Sequence, residues 1–260
     1  MHIFHKNTSV HYTSIGKGKP IVFLHGFLEN STMWNSISQE FLKKYRVICI
    51  DLLGHGNTEN HGYVHSMEDQ AIMVKAVLNN LKLRKYILVG HSMGGYVGLS
   101  FSKLFPNNIK GLCLMNSTAL ADSKEKKINR NRAIEAVKQN HKTFVRIAIP
   151  MLFSEKNRAL FPSEIKEVTN EALKISPQGI IAALEGMKIR KDTTSLFKEA
   201  KFPILMIIGK QDPALDYNSL IAQTKNTNVQ VIEFPDGHMS HLENKDDLIA
   251  SLFSFVKNCG

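Results

Sequence analysis

Residues 86–100, YILVGHSMGGYVGLS, constrain the fold of this chain more than any other stretch. The first four are apolar without polar alternation, which predicts a strand buried on both faces of a parallel sheet. From Met93 onward the apolar spacing is helical, so Ser92 lies at the corner between a strand and a helix. A corner this sharp strains the backbone, and Gly90 and Gly94 of the G-x-S-x-G pattern remove side chains that would clash. The pattern predicts a serine hydroxyl that projects into an open crevice.

Five further segments resemble the strand at 86, since each is a short apolar run that ends at polar or glycine residues. They are Ile21–His25, Val47–Asp51, Ile109–Asn116, Ile204–Gly209 and Val229–Phe234. Helical patterns at 33–42, 66–81 and 246–256 alternate with them, and the first twenty residues read as an antiparallel edge hairpin. The sequence therefore predicts an α/β fold: a mainly parallel, twisted sheet of about eight strands with helices on both faces.

One gap breaks this alternation. Residues 119–195 contain no convincing strand, only helical stretches interrupted by prolines, and the gap is far longer than an ordinary connection. We interpret it as an inserted helical lid on a core domain made of residues 1–118 and 196–260. Met151 and Phe153 belong to an apolar run in this lid and are candidates to line a substrate pocket, with simple packing as the alternative.

The basic charge of the chain is concentrated in the same region. A net charge of +10 normally suggests a nucleic acid or an anionic membrane as partner. Here, however, ten basic and four acidic residues fall between 122 and 158, within helical sequence. We interpret this stretch as a solvated helix face, with a rim that attracts anionic substrates as the sharper alternative, and we expect neither nucleic acid nor membrane as a partner.

Targeting signals and cysteine patterns add little. The first residues contain no apolar signal region, and no window approaches the length of a membrane span, so a reducing cytoplasm is the expected location. Cys49, Cys113 and Cys259 form no C-x-x-C pair, and we expect free thiols. The oligomeric state stays open.

A serine hydroxyl becomes a nucleophile when a histidine takes its proton, and that histidine needs a carboxylate to orient it. In an open α/β sheet both belong after the carboxyl ends of other strands. Asp212 follows the strand at 204–209 and His238 follows the strand at 229–234. Asp216 and His241 are their nearest rivals.

Five short motifs, in this order, resemble those of the α/β-hydrolase fold family over nearly the whole chain. They are LHGF at 24–27, DLLGHG at 51–56, GHSMGG at 90–95, GKQDP at 209–213 and DGHMSHLE at 236–243. The resemblance implies that Ser92 is the nucleophile, His238 the general base and Asp212 its orienting acid. It also assigns the oxyanion hole to the backbone N–H groups of Phe27 and Met93.

Two other residues in or near these motifs have expected roles outside the triad. His25 is expected to shape its loop, and Trp34 to lie in the core or in the pocket wall. The spacing of the histidines could suggest a metal pair, but no carboxylate or cysteine completes a ligand set, so we expect no metal and no cofactor.

A serine at this corner argues against dehalogenases and epoxide hydrolases of the fold, which use aspartate there. The resemblance implies a serine hydrolase that cleaves small carboxylic esters through an acyl-enzyme. Three alternatives stay open: a carbon-carbon bond hydrolase or menaquinone-pathway-like enzyme with an anionic substrate, where Arg130 and Arg132 could bind the carboxylate; a cofactor-free haloperoxidase or perhydrolase; and a binding protein without activity.

Overall fold

A computed structural model describes residues 1–260 and contains one eight-stranded sheet. The strands are β1 (His2–His5), β2 (Thr8–Gly16), β3 (Lys19–Leu24), β4 (Tyr45–Ile50), β5 (Tyr86–His91), β6 (Ile109–Met115), β7 (Ile204–Gly209) and β8 (Gln230–Phe234). Their spatial order is β1-β2-β4-β3-β5-β6-β7-β8. In this spatial order the last six strands, β4, β3, β5, β6, β7 and β8, run parallel to one another. β1 and β2 form an antiparallel edge, and the arrangement confirms the predicted fold class.

Eleven α-helices accompany the sheet. They are α1 (Asn35–Phe41), α2 (Met67–Asn80), α3 (Met93–Leu104), α4 (Lys124–Ala148), α5 (Glu155–Leu160), α6 (Pro162–Ala172), α7 (Pro177–Lys188), α8 (Leu196–Glu199), α9 (Tyr217–Thr224), α10 (Ser240–Glu243) and α11 (Lys245–Asn258). The helix predicted at 33–42 differs at its start, because Ser31–Trp34 form a 3-10 turn capped by Asn30 before α1 begins. No helix combines the length and the apolar character needed to cross a membrane.

Successive side chains of the central strands point to opposite faces of the sheet, so the core consists of two layers. On β3, Val22 and Leu24 pack into the layer that contains α2 and α3. The residues between them, Ile21 and Phe23, pack into the opposite layer, which contains α1 and α11. Because both faces of the strand are buried from Ile21 to Leu24, it carries apolar residues at all four of these positions, as expected for a parallel sheet.

The helices α4 to α7 all lie between β6 and β7, in the segment that the sequence leaves without strands. We call residues 119–195 the helical insertion. Its longest helix, α4, packs against α7 and is bent at Asn140, whose backbone is not helical. Among the residues of α4 only Ile134, Val137 and Val145 are fully buried, so most of its basic side chains remain in contact with solvent.

Candidate active site

Ser92 occupies the turn between β5 and α3 with a left-handed backbone, at φ 49° and ψ −112°. Its N–H donates to the carbonyl of Met115 at 2.9 Å, and its carbonyl accepts from the Ser117 hydroxyl at 2.8 Å. A side chain at position 94 would meet the carbonyl oxygen of Leu24 at 2.3 Å, so only glycine allows α3 to approach β3 this closely. Neighbouring strands thus hold Ser92 in an unfavourable conformation, as a nucleophile elbow requires.

Asp212 and His238 meet at the same edge of the sheet. Nδ1 of His238 contacts Oδ2 of Asp212 at 2.7 Å, and both side chains are almost completely buried. Because an ionised carboxylate can only accept, this bond fixes the proton on Nδ1 and leaves Nε2 free to receive another. The backbone N–H of His238 donates to the carbonyl of Leu152 in the helical insertion at 2.9 Å.

The carboxylate of Asp212 is held by several donors. Its Oδ1 accepts from the N–H groups of Ala214 at 2.8 Å and Leu215 at 3.1 Å, and Oδ2 accepts from the Asn116 amide at 3.1 Å. Burial alone would raise the pKa of Asp212, but His238 and these hydrogen bonds outweigh burial and hold that pKa below its usual value. Asp212 is therefore charged at neutral pH and suited to orient an imidazolium.

The two rival residues have other partners. Asp216 caps α9, where its side chain accepts from the N–H of Ser219 at 2.8 Å. His241 is buried, its Nε2 lies 3.8 Å from a carboxylate oxygen of Glu29, and burial lowers its pKa to about 4. Neither lies in the pair formed by Asp212 and His238.

One cavity of about 330 Å³ contains both Ser92 and His238. The core contributes Phe27, His91, Tyr96, Ala214 and Leu215 to its wall. The helical insertion contributes Lys126, Asn129, Arg130, Ala133, Leu152, Leu184 and Met187. The cavity therefore lies between the carboxyl edge of the sheet and the insertion, where open α/β sheets bind ligands.

The two residues predicted to form the oxyanion hole lie beside Ser92. Phe27 lines the cavity, and Met93 is the first residue of α3, where backbone N–H groups have no partner within the helix. The preceding loop is shaped by His25, whose Nε2 accepts from the N–H of Leu52 at 2.9 Å and whose Nδ1 donates to the carbonyl of Gly26 at 2.7 Å. These contacts match the loop-shaping role expected for His25.

The three side chains suggested for the substrate pocket do not line this cavity. Trp34 is completely buried in the opposite layer of the core, with its ring 5.0 Å from that of Phe23. Phe153 is buried against Phe161 inside the insertion, and Met151 points toward solvent with 51% of its surface exposed. Apolar character alone does not distinguish a pocket wall from a packed interior, because both favour the same residues.

The two arginines of the insertion have different surroundings. Arg130 lines the cavity and pairs with the buried carboxylate of Asp122, which also binds Arg190. These arginines outweigh the effect of burial and lower the pKa of Asp122. Arg132 lies outside the cavity and donates to the Asn129 side chain at 3.1 Å. Only Arg130 therefore stands where a substrate could meet it.

Three polar residues that support the site were not identified from the sequence. Asn116, at the end of β6, bridges the Asp212 carboxylate and the carbonyl of Gly237, each at 3.1 Å. Glu29 and His91 form a buried pair beneath the elbow, joined at 2.6 Å. A polar residue directly after a buried strand was the available signal for Asn116, and a polar residue at the carboxyl end of β5 was the signal for His91.

Potential metal ligands occur together only once, in Glu29, His91 and His241, whose ligand atoms lie within 4.8 Å of one another. Both ring nitrogens of His91 are already engaged, with Glu29 at 2.6 Å and with the carbonyl of His238 at 2.9 Å. A histidine ligand needs a free nitrogen lone pair, and these two hydrogen bonds leave none on His91.

Comparisons with known proteins agree with this fold. A thermophilic esterase from Thermogutta terrifontis, solved with malate bound, superposes with a TM-score of 0.89 at 29% identity, over 97% of this chain and 94% of that one. A putative 2-succinyl-6-hydroxy-2,4-cyclohexadiene-1-carboxylate synthase from Bacillus subtilis is 29% identical over 205 residues, which are 74% of this chain and 73% of that protein.

Some relatives are much longer than the region they share with this chain. An uncharacterised protein from Mycobacterium tuberculosis is 33% identical over 102 residues, which are 39% of this chain but only 30% of that protein. A family model described as the alpha/beta hydrolase fold matches residues 19–148. Together with the eight-stranded sheet and the strained serine turn, this match shows that the chain belongs to the α/β-hydrolase family.

Proposed function

We propose that this protein is a serine hydrolase that cleaves small carboxylic esters through an acyl-enzyme intermediate. The observation that carries the proposal is the cavity in which Ser92 and His238 lie together, with His238 held by the buried carboxylate of Asp212 at 2.7 Å. The esterase from Thermogutta terrifontis, at 29% identity, supports the choice of esters.

The proposed reaction assigns one task to each group. Nε2 of His238 takes the proton of the Ser92 hydroxyl as its oxygen attacks the ester carbonyl, and Asp212 stabilises the imidazolium that forms. The N–H groups of Phe27 and Met93 donate to the oxyanion of the tetrahedral intermediate. The carbon-oxygen bond then breaks, and His238 returns the proton to the departing alcohol. Water, deprotonated by His238, releases the acid and restores Ser92.

The position of the helical insertion supports its role as a lid. It supplies half of the cavity wall, including Leu184 and Met187, and it contacts the catalytic loop through the bond from the His238 N–H to Leu152. Such a cover shields the reacting groups from bulk solvent. The boundaries 119–195 for the lid and 1–118 with 196–260 for the core form part of this proposal.

The experiment that tests the function combines turnover with covalent labelling. We expect the purified chain to hydrolyse p-nitrophenyl acetate or butyrate and to react with a fluorophosphonate probe at Ser92. Ser92→Ala should abolish labelling and lower kcat by about 10⁴-fold or more. Ser100→Ala, on the same helix as the elbow but outside the cavity, should label and turn over like the wild type. A folded wild-type protein that neither labels nor hydrolyses any ester would exclude the proposal.

A second candidate is a hydrolase for substrates that carry a carboxylate, including carbon-carbon bond cleavage of keto acids. Lys126 and Arg130 face the cavity, and no acidic side chain does. The similarity to the carboxylate synthase from Bacillus subtilis supports the same direction. Comparison of anionic with neutral acyl substrates of equal size separates this candidate from the first.

A further inference from the structure

A buried pair of charges, Glu29 and His91, lies directly behind the proposed triad. Their side chains are no more than 3% exposed, and Nδ1 of His91 lies 2.6 Å from Oε2 of Glu29. The rings of His91 and His238 are 5.0 Å apart. Neither Glu29 nor His91 has a task in the acyl-transfer steps, although burial of two ionisable groups is costly unless they are paired.

The hydrogen bonds of His91 define its protonation. Nε2 faces the backbone carbonyl of His238 at 2.9 Å, and a carbonyl only accepts, so Nε2 carries a proton. Nδ1 faces a carboxylate oxygen of Glu29, so a second proton lies between these two groups. His91 and Glu29 therefore hold one shared proton and form a pair with no net charge.

Their electrostatics favour the ion pair at neutral pH. Burial alone would raise the pKa of Glu29, but the charge of His91 and its hydrogen bond lower that pKa to about 2. Burial opposes a charge on His91, yet the Glu29 carboxylate outweighs burial and raises the pKa of His91. An imidazolium that donates from both nitrogens is a stronger and more directional anchor than a neutral ring.

The pair contacts three parts of the proposed machinery. His91 immediately precedes Ser92 in the chain and binds the carbonyl of His238. Oε2 of Glu29 also accepts from the N–H of Gly26 at 2.7 Å, one residue before Phe27. A side chain at position 26 would meet Oε2 of Glu29 at 2.4 Å and Nδ1 of His91 at 2.7 Å, so the loop is packed directly onto the pair.

We propose that Glu29 and His91 are a positioning pair, which fixes the oxyanion loop and the catalytic-histidine loop relative to the Ser92 elbow. This inference rests on the hydrolase function proposed above. Its physical basis is that three separate loops must meet within a few tenths of an ångström for proton transfer and oxyanion binding. One buried ion pair that bonds to two loops and adjoins the third couples their positions.

The test is Glu29→Gln, which preserves the size of the side chain but removes its charge. Active sites are counted by fluorophosphonate labelling, and kcat is expressed per labelled site. We expect kcat per site to fall by about 10- to 100-fold with KM nearly unchanged, because geometry rather than binding is lost. Adding His91→Gln to Glu29→Gln should cost little more than the worse single change, as expected for residues that act as a unit.

His241→Gln is the matched control, because His241 is buried in the same cluster but makes no hydrogen bond to the machinery. Its kcat per site should stay within about twofold of the wild type, because this change removes none of the hydrogen bonds that join the pair to the loops. If Glu29→Gln lowers only the melting temperature or the fraction of labelled protein, the pair has a packing role and the proposal is wrong.

Proton NMR separates this inference from the proposed function. Strongly hydrogen-bonded imidazole N–H protons resonate far downfield, so the wild type should show one such signal for Nδ1 of His238 and one for Nδ1 of His91. Asp212→Asn should remove the signal of His238, and Glu29→Gln that of His91. A chain that shows both signals but neither labels nor hydrolyses esters would exclude the hydrolase function and any catalytic positioning, while the ion pair would stand. A spectrum without the His91 signal would overturn the pair itself.

Discussion

The two sides of the cavity differ in how their charged groups are held. At the carboxyl edge of the sheet, the buried carboxylates of Asp212 and Glu29 each accept at least two hydrogen bonds. On the other side, most basic side chains of α4 are in contact with solvent. The edge is held by both layers of the core. The insertion is bent at Asn140 and has few buried residues in its longest helix. From this difference we expect the chemistry to depend on the carboxyl edge of the sheet and the choice of substrate to depend on the insertion.

The largest loss of activity should come from changing Asp212, the proposed catalytic acid at the carboxyl edge of the sheet. Asp212→Asn keeps the shape of the side chain but can no longer hold the His238 proton on Nδ1, and kcat should fall by about 10³- to 10⁴-fold. Asp216→Asn is the control in the same loop, because Asp216 only caps α9, and its kcat should be unchanged. Steady-state turnover of p-nitrophenyl butyrate measures both variants. Equal losses in the two variants would contradict the assignment of Asp212.

A smaller effect should come from the insertion. Lys126 is half-buried and lines the cavity, while its neighbour Lys127 is exposed and does not. Lys126→Glu should lower kcat/KM for anionic acyl esters by about 3- to 10-fold relative to neutral esters, because a like charge disfavours binding. Lys127→Glu should leave that ratio unchanged. A ratio that shifts equally in both variants would indicate a general field rather than a contact in the cavity.

The smallest effect concerns stability against acid, and it again depends on the core. Burial lowers the pKa of His55 to about 3 and that of His241 to about 4. As the pH falls from about 6.5 toward 4, the unfolded chain therefore binds protons that the folded chain does not, and the free energy of unfolding decreases. The raised pKa of His91 adds nothing in this window, since its stabilisation is already complete below pH 6.5.

His55→Gln should make the melting temperature less sensitive to pH between 6.5 and 4, by about 2–4 °C. His141→Gln, a change at a partly exposed position in α4, should leave the pH dependence as it is in the wild type. Thermal unfolding followed by fluorescence at a series of pH values tests this. An identical pH dependence in both variants would show that the buried histidine does not control acid stability.

The strands were predictable because their signal is local. β7 has the predicted bounds, and β3 to β6 and β8 differ from the predicted bounds by a few residues at most. The agreement is close because an apolar run flanked by polar residues or glycine is visible in one short window. The pocket wall was not predictable in this way. Trp34 and Phe153 are apolar and completely buried, yet they face the interior of the core and of the insertion.

Contacts between polar residues that are far apart in the chain were also not predictable from the sequence. Glu29 lies 62 residues from His91, and Asn116 lies 96 residues from Asp212, so no spacing along the chain connects them. Each becomes visible only when the parallel strands bring their carboxyl ends to one edge. The segment between β7 and α9 contains both Asp212 and Asp216, but Asp212 contacts His238 whereas Asp216 caps α9.

The amino-acid sequence by itself determined the alternating strands and helices, the serine at a glycine-flanked corner and the length of the insertion, because these depend on neighbours within a few residues. The tertiary structure decided which carboxylate contacts His238 and which basic residues reach the cavity. It also decided that the buried pair of Glu29 and His91 binds the loops that contain Gly26 and His238. These depend on side-chain directions and on distances between residues far apart in the chain. Such distances are set by how the two layers pack on the sheet.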